Sequence, residues 1–136
     1  MVNLIIGKKG TGKTKQLIDR VNAAVQIDKG HLVFVNNGQR HMYDLDHKIR
    51  LIDTSEFKID TYQSLYGLLC GVMAQDYDIS NIFIDSITKI ILGQDIADAE
   101  CVFEELEHVA AKANVNIVIT ASIAAEDAPE YIKKYL

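Results

Sequence analysis

The sequence predicts an α/β domain of three layers, α/β/α, around a mainly parallel sheet of about five strands. Three observations lead there. Short apolar runs rich in branched residues alternate with stretches of helical spacing along the whole chain. A glycine-rich loop, Gly7 to Thr14, joins the first apolar run directly to the first helical stretch. The single proline, Pro129, stands near the end and leaves the core elements uninterrupted. Alternation of this kind implies parallel strands joined by right-handed crossovers, with helices on both faces.

Taken in order, Val2 to Ile6 is the first strand, apolar enough to be buried on both faces. The helix after the loop carries Leu17, Ile18, Val21 and Val25 on one stripe and ends near Lys29-Gly30. His31 to Val35 is the second strand, closed by the turn Asn36-Asn37-Gly38. The pattern weakens from Gln39 to Asp60, where Ile49 to Asp53 is a candidate short strand within polar loop. Helical spacing returns over Thr61 to Gln75 through Tyr62, Leu65, Leu69 and Val72. Asn81 to Asp85 and Asn116 to Thr120 are further strands. Between them lies a helix with Asp98 as its expected cap. Its inner face is expected to hold Val102, Phe103, Leu106, Val109 and Ala113, and its acids Glu100, Glu104, Glu105 and Glu107 to face solvent. A terminal helix is expected to start with Pro129 in its first turn.

The bulk composition fits one domain spanning residues 1–136, with 49% hydrophobic and 24% charged residues. A net charge of -5 argues against broad binding to nucleic acid. No segment is long and apolar enough to cross a membrane. The first strand begins at Val2, which leaves no room for a leader peptide, so a cytoplasmic location is expected. Cys70 and Cys101 show no metal-ligand spacing and read as reduced core thiols, and the four histidines are scattered.

The chemistry concentrates in Gly7-Lys8-Lys9-Gly10-Thr11-Gly12-Lys13-Thr14, which fits the phosphate-binding pattern G-x-x-x-x-G-K-[ST] without a mismatch. The glycines let consecutive N–H groups turn inward around a phosphate, and the following helix points its positive end at the same spot. Lys13 is placed to reach the β- and γ-phosphates, and the Thr14 hydroxyl to ligate Mg²⁺. Lys8 and Lys9 add positive charge at the rim. Asp85, at the end of an apolar strand, is the second expected anchor for the metal. The expected cofactors are therefore ATP and Mg²⁺, with Lys13 and Asp85 the catalytic candidates.

Ile82-Phe83-Ile84-Asp85-Ser86-Ile87-Thr88 resembles the Walker B region of RecA-like ATPases, where an Asp-Ser pair follows the apolar strand. Ile117 to Ser122 is similar to the next strand of that family, whose polar end senses the γ-phosphate. The resemblance implies a P-loop NTPase fold, with Thr120 or Ser122 facing the nucleotide. The chain departs from the family where the water-activating glutamate belongs. Ser86 follows Asp85, and the end of the second strand reads Asn36-Asn37-Gly38-Gln39. Gln39, Asp53, Glu56, Glu126 and Asp127 are alternatives that the sequence does not place. The arginines are Arg20, expected on the surface of the first helix, and Arg40 and Arg50, which flank the loop after the second strand; an exposed role is favoured for both, with an arginine finger in cis or to a neighbouring subunit as the alternative.

The expected function is Mg²⁺-dependent ATP binding with slow or partner-stimulated hydrolysis, in a homo-oligomer or on a protein partner. A small-molecule kinase resembling thymidine kinase is the second reading, weakened by the lack of a cysteine cluster. A nucleotide-dependent regulatory module without turnover is the third, supported by the missing glutamate. No guanine-reading N-K-x-D motif is present, so ATP is the default over GTP.

Overall fold

Strand β1 (Val2–Gly7) leads through the glycine-rich loop into α1 (Lys13–Ile27). A computed structural model describes residues 1–136. After α1 come β2 (His31–Asn36), β3 (Arg50–Asp53), α2 (Tyr62–Gln75), β4 (Ile79–Ile84), the one-turn α3 (Ile87–Ile90), α4 (Glu100–Ala113) and β5 (Asn116–Ser122). The strands form one five-stranded sheet in the order β1-β5-β4-β2-β3, with every neighbouring pair parallel. Both faces are covered, which is why the strands read as apolar runs rather than as alternation.

The two faces are filled unequally. On one, Leu17, Ile18 and Val21 of α1 pack on Leu32, Phe34, Phe83 and Val118. On the other, Leu65, Leu69 and Met73 of α2 join Val102, Phe103 and Leu106 of α4 over Val33, Val35, Ile82, Ile84, Ile117 and Ile119. One helix cannot cover a whole sheet face. The stretch after β2 completes the cover, with Leu45 and Ile49 packed into the α1 cluster. Asn22 ties it down, donating to the Asp44 carbonyl at 2.9 Å and accepting from the Asp46 amide at 3.1 Å. Leu17 and Phe34 are fully buried, and cutting either back to Ala would cost about 2–5 kcal/mol.

Several expectations need correction. Asp98 does not cap α4: it belongs to a 3-10 turn, Ile96–Asp98, whose own cap is Asp95, accepting from the Ala97 amide at 3.0 Å. That turn buries Ile96 and brings the chain into α4 through Ala99 with no side-chain cap. The inner face of α4 ends on Ala110, four residues after Leu106, while Ala113 is exposed and Val109 half-buried. Glu107 is not simply solvated, because its Oε2 accepts the Val2 amide at 2.9 Å on the free edge of β1. Cys101 lies exposed on α4 and Cys70 is half-buried, so they are not a pair of core thiols. The terminal helix is 3-10 over Glu130–Tyr135, preceded by Pro129. The helical spacing over Thr61 to Gln75 corresponds to α2 with Thr61 as its N-cap, whose hydroxyl accepts the Ser64 amide at 3.0 Å in a reciprocal capping box. No helix is long and apolar enough to cross a membrane.

Candidate functional site

The C-terminal ends of the parallel strands gather the polar residues. In the β2–β3 register Asn36 stands opposite Asp53. Val35 pairs with Ile84, and the Asp85 amide donates to the Val35 carbonyl at 2.9 Å, so Asp85 follows beside Asn36. Ile84 pairs with Ile119, which sets Thr120 beside Asp85. The two-residue period of a strand puts all four on the face of Leu51, Phe34, Phe83 and Val118, under α1. Asp53, Asn36, Asp85 and Thr120 thus form a polar line across four strands. They are 9%, 3%, 2% and 0% exposed.

Over this line arrives the glycine-rich loop. Gly7 ends β1 opposite Ser122. Gly10 (φ 84°) and Gly12 (φ 81°) take left-handed backbone that a residue with a Cβ adopts only at a cost. Gly12 caps α1 without a side chain, and no acid lies in the first turn, so the leading N–H groups and the positive end of the dipole stay uncompensated.

Lys13, at the first position of α1, is buried. Its Nζ donates to the Lys8 carbonyl at 2.9 Å and to Thr11 Oγ1 at 3.4 Å, folding back on its own loop. Burial holds its ammonium pKa below the ordinary 10.5; Asp85 opposes that shift and Lys89 adds to it. Thr14 Oγ1 lies 3.1 and 3.0 Å from the two Asp85 oxygens, one proton shared over two acceptors. Thr120 Oγ1 donates to Asp85 Oδ1 at 2.9 Å and accepts the Ser86 amide at 2.7 Å. Ser86 has φ 56° and ψ 61°, a left-handed conformation rare outside glycine, and the Thr120 hydroxyl holds it there. The structure therefore brings Lys13, Thr14 and Asp85 together and adds Thr120.

The other candidates stand apart. Gln39 is exposed and donates to Glu56 Oε1 at 3.4 Å. Asp53 Oδ1 accepts the Ser55 hydroxyl at 2.6 Å, the Gly38 amide at 2.7 Å and the Ser55 amide at 2.9 Å, which binds it to its turn. Those bonds, the Ser55 hydroxyl first, hold its carboxyl below the usual 3.8. Glu126 faces Lys8 at 3.9 Å, both exposed, and Asp127 lies in an exposed 3-10 turn. Lys9, Arg20, Arg40 and Arg50 are all exposed. At the opposite end of the sheet His31, Asp76 and Asp78 bring ligand atoms within 4.8 Å of one another. That group reads as an exposed ion pair, His31 to Asp76 at 2.7 Å, rather than a buried metal cage.

Sequence reasoning missed Asn36, which keeps a buried Oδ1 with no hydrogen-bond partner; only the register reveals its place beside Asp85.

Fold and site together define a parallel α/β protein with an uncapped, glycine-led helix aimed at a buried hydroxyl–carboxylate cluster. No model of a known protein family matches the chain, and none of the curated proteins matches it either.

Proposed function

We propose that this chain binds a nucleoside triphosphate, ATP by default, together with Mg²⁺, as a P-loop protein of RecA-like type. Hydrolysis is slow, or waits for a partner or a second copy. The observation that carries this reading is the meeting of Thr14 with Asp85, 71 residues apart in sequence, at 3.0 Å directly below the uncapped start of α1. An isolated glycine-rich turn has no reason to stand over a buried carboxylate.

The donors fit the metal. A hydroxyl and a carboxylate are hard oxygen ligands of the kind Mg²⁺ takes, and Thr14 and Asp85 would hold it. When bound, the cation would offset charge on the β- and γ-phosphates. The loop N–H groups of residues 10–14 bind the phosphates, and Lys13 swings from the Lys8 carbonyl to the same oxygens. Thr120 fixes the Asp85 carboxylate from beneath. No carboxylate beyond Asp85 joins the line without already serving a turn, so no general base is poised to take a proton from water. That favours slow turnover, and it keeps open a nucleotide-dependent regulatory role with negligible phosphate release.

Lys13→Ala tests the site. Mg²⁺-dependent ATP binding, followed by calorimetry, should vanish while far-UV circular dichroism stays native. Unchanged affinity in a folded variant overturns the assignment.

A further inference from the structure

Asn36 closes β2 between the two acids of the polar line, with Asp53 on one side and Asp85 on the other. Its backbone is held in place. The Asn36 carbonyl accepts the Thr54 hydroxyl at 3.2 Å, and two residues on the Gly38 amide donates to Asp53 Oδ1 at 2.7 Å. On the other side the Asp85 amide donates to the Val35 carbonyl at 2.9 Å, so the β2–β4 ladder runs right up to Asn36. Neighbouring strands lie about 4.8 Å apart, and the Asn36 and Asp85 side chains leave the same face of the sheet at that spacing. This is the face on which Asp85 meets Thr14 of α1.

Asn36 is 3% exposed, and its Oδ1 is buried with no hydrogen-bond partner. An unpaired buried acceptor is unfavourable, and an apolar side chain of similar shape would avoid the cost. The adjoining acids cannot relieve it. Carboxylate oxygens are acceptors too, and Asp85 and Asp53 draw on hydroxyl and amide donors of their own. A phosphate group cannot relieve it either, since its oxygens are likewise acceptors. Of the groups that the phosphate end of the site would take, only the hydrated cation brings donors. Mg²⁺ keeps several of its waters when carboxylates and phosphates bind it, and those waters carry O–H groups.

We propose that Asn36 is a positioning residue for Mg²⁺: its Oδ1 accepts a hydrogen bond from a water of the cation that Thr14 and Asp85 hold. The oxygen that is unfavourable in the free protein is thereby satisfied in the loaded one. The assignment rests on the proposed nucleotide function.

Its test compares wild type, Asn36→Leu and Asn36→Asp. Affinity for a non-hydrolysable ATP analogue is measured by calorimetry, once with Mg²⁺ and once in EDTA, and thermal melts are recorded without ligand. Asn36→Leu should melt at or above wild type. With Mg²⁺ it should bind the analogue roughly tenfold or more weakly, as loss of an outer-shell partner of a metal implies, and in EDTA within about threefold of wild type. A merely structural residue would not separate the two conditions. Asn36→Asp keeps an acceptor oxygen and should hold the Mg²⁺-dependent affinity at or above that of wild type. Unchanged affinity with Mg²⁺ in Asn36→Leu, or an equal loss in EDTA, overturns the proposal. So does an aspartate variant that loses as much as the leucine, because the amide would then act as a donor. If Asn36→Leu is too unstable to titrate, Asn36→Ala carries the affinity comparison. A wild type that binds the analogue under neither condition removes the proposed function and this role together; wild-type binding with an indifferent Asn36 removes only the latter.

Discussion

Thr120→Val is the most demanding test of how the site is built, because it needs no ligand. Valine matches threonine in shape, so the change removes one hydroxyl from a fully buried position and leaves packing intact. That hydroxyl does two things. It accepts the Ser86 amide at 2.7 Å, and it donates to Asp85 Oδ1 at 2.9 Å. Ser86 is 7% exposed, so its amide would find no water, and an orphaned buried donor costs about 1–3 kcal/mol. The lost bond to a carboxylate is worth about 1.5–3 kcal/mol, and since one group serves both, the total should be about 2–4 kcal/mol. For a domain of this length that lowers Tm by about 6–16 °C. Urea unfolding followed by circular dichroism measures it, with an unchanged m-value as the sign that the folded state keeps its compactness. Thr120→Ser keeps the hydroxyl and should cost only about 1 kcal/mol for its lost methyl. The reasoning is refuted if Thr120→Val costs less than about 1 kcal/mol, or if the serine variant falls as far as the valine.

Two further predictions concern the same region without nucleotide. Asn36→Leu removes a buried oxygen that has no partner, so it should leave stability unchanged or raise it by about 1 kcal/mol in urea unfolding; a loss above about 2 kcal/mol would mean the amide is satisfied after all. Lys13 supplies a pH dependence. Its folded pKa lies below the 10.5 of an open chain, so between those values the unfolded chain binds more protons and stability rises with pH. At neutral pH the buried charge is a cost, and Lys13→Met should therefore melt higher than wild type and lose the rise toward alkaline pH; a Met variant that melts lower at pH ~7 contradicts this.

The sequence shows the sheet and the loop more readily than the details around them. Four apolar runs mark β1, β2, β4 and β5 because a parallel sheet buried on both faces tolerates little else, whereas β3, a partly exposed edge strand, shows in the sequence only as the candidate Ile49 to Asp53. The glycine-rich loop was legible because few residues other than glycine accept the backbone at Gly10 and Gly12. Asp85 followed from its place at a strand end. Strand order was not legible, and with it the neighbours of Asp85. The β4–β5 register sets Thr120, not Ser122, beside Asp85, and only the folded chain shows it. Asp98 does not cap α4 because burial of Ile96 draws residues 96–98 into a 3-10 turn that Asp95 caps, and α4 is entered through Ala99 without a side-chain cap. Glu107 looked like one acid among several until β1 proved to be an edge strand with an amide to satisfy. Each miss is a matter of tertiary neighbours, which spacing along one element does not encode.

The position of β5 has a consequence for how the chain comes into being. It is the last strand in sequence, yet it is the sole hydrogen-bonded partner of β1, the first. While Asn116–Ser122 is still inside the ribosome, β1 and the loop behind it have nothing to pair with, and β4 presents a bare apolar edge. Such long-range closure is slow, and its intermediates are the ones that call for chaperones. A nascent chain stalled short of Asn116 should form α2 and the β2–β3–β4 half while leaving Thr14 and Asp85 unassembled. On the proposed function, ligand capture would begin only once Asn116–Ser122 has paired with both β1 and β4.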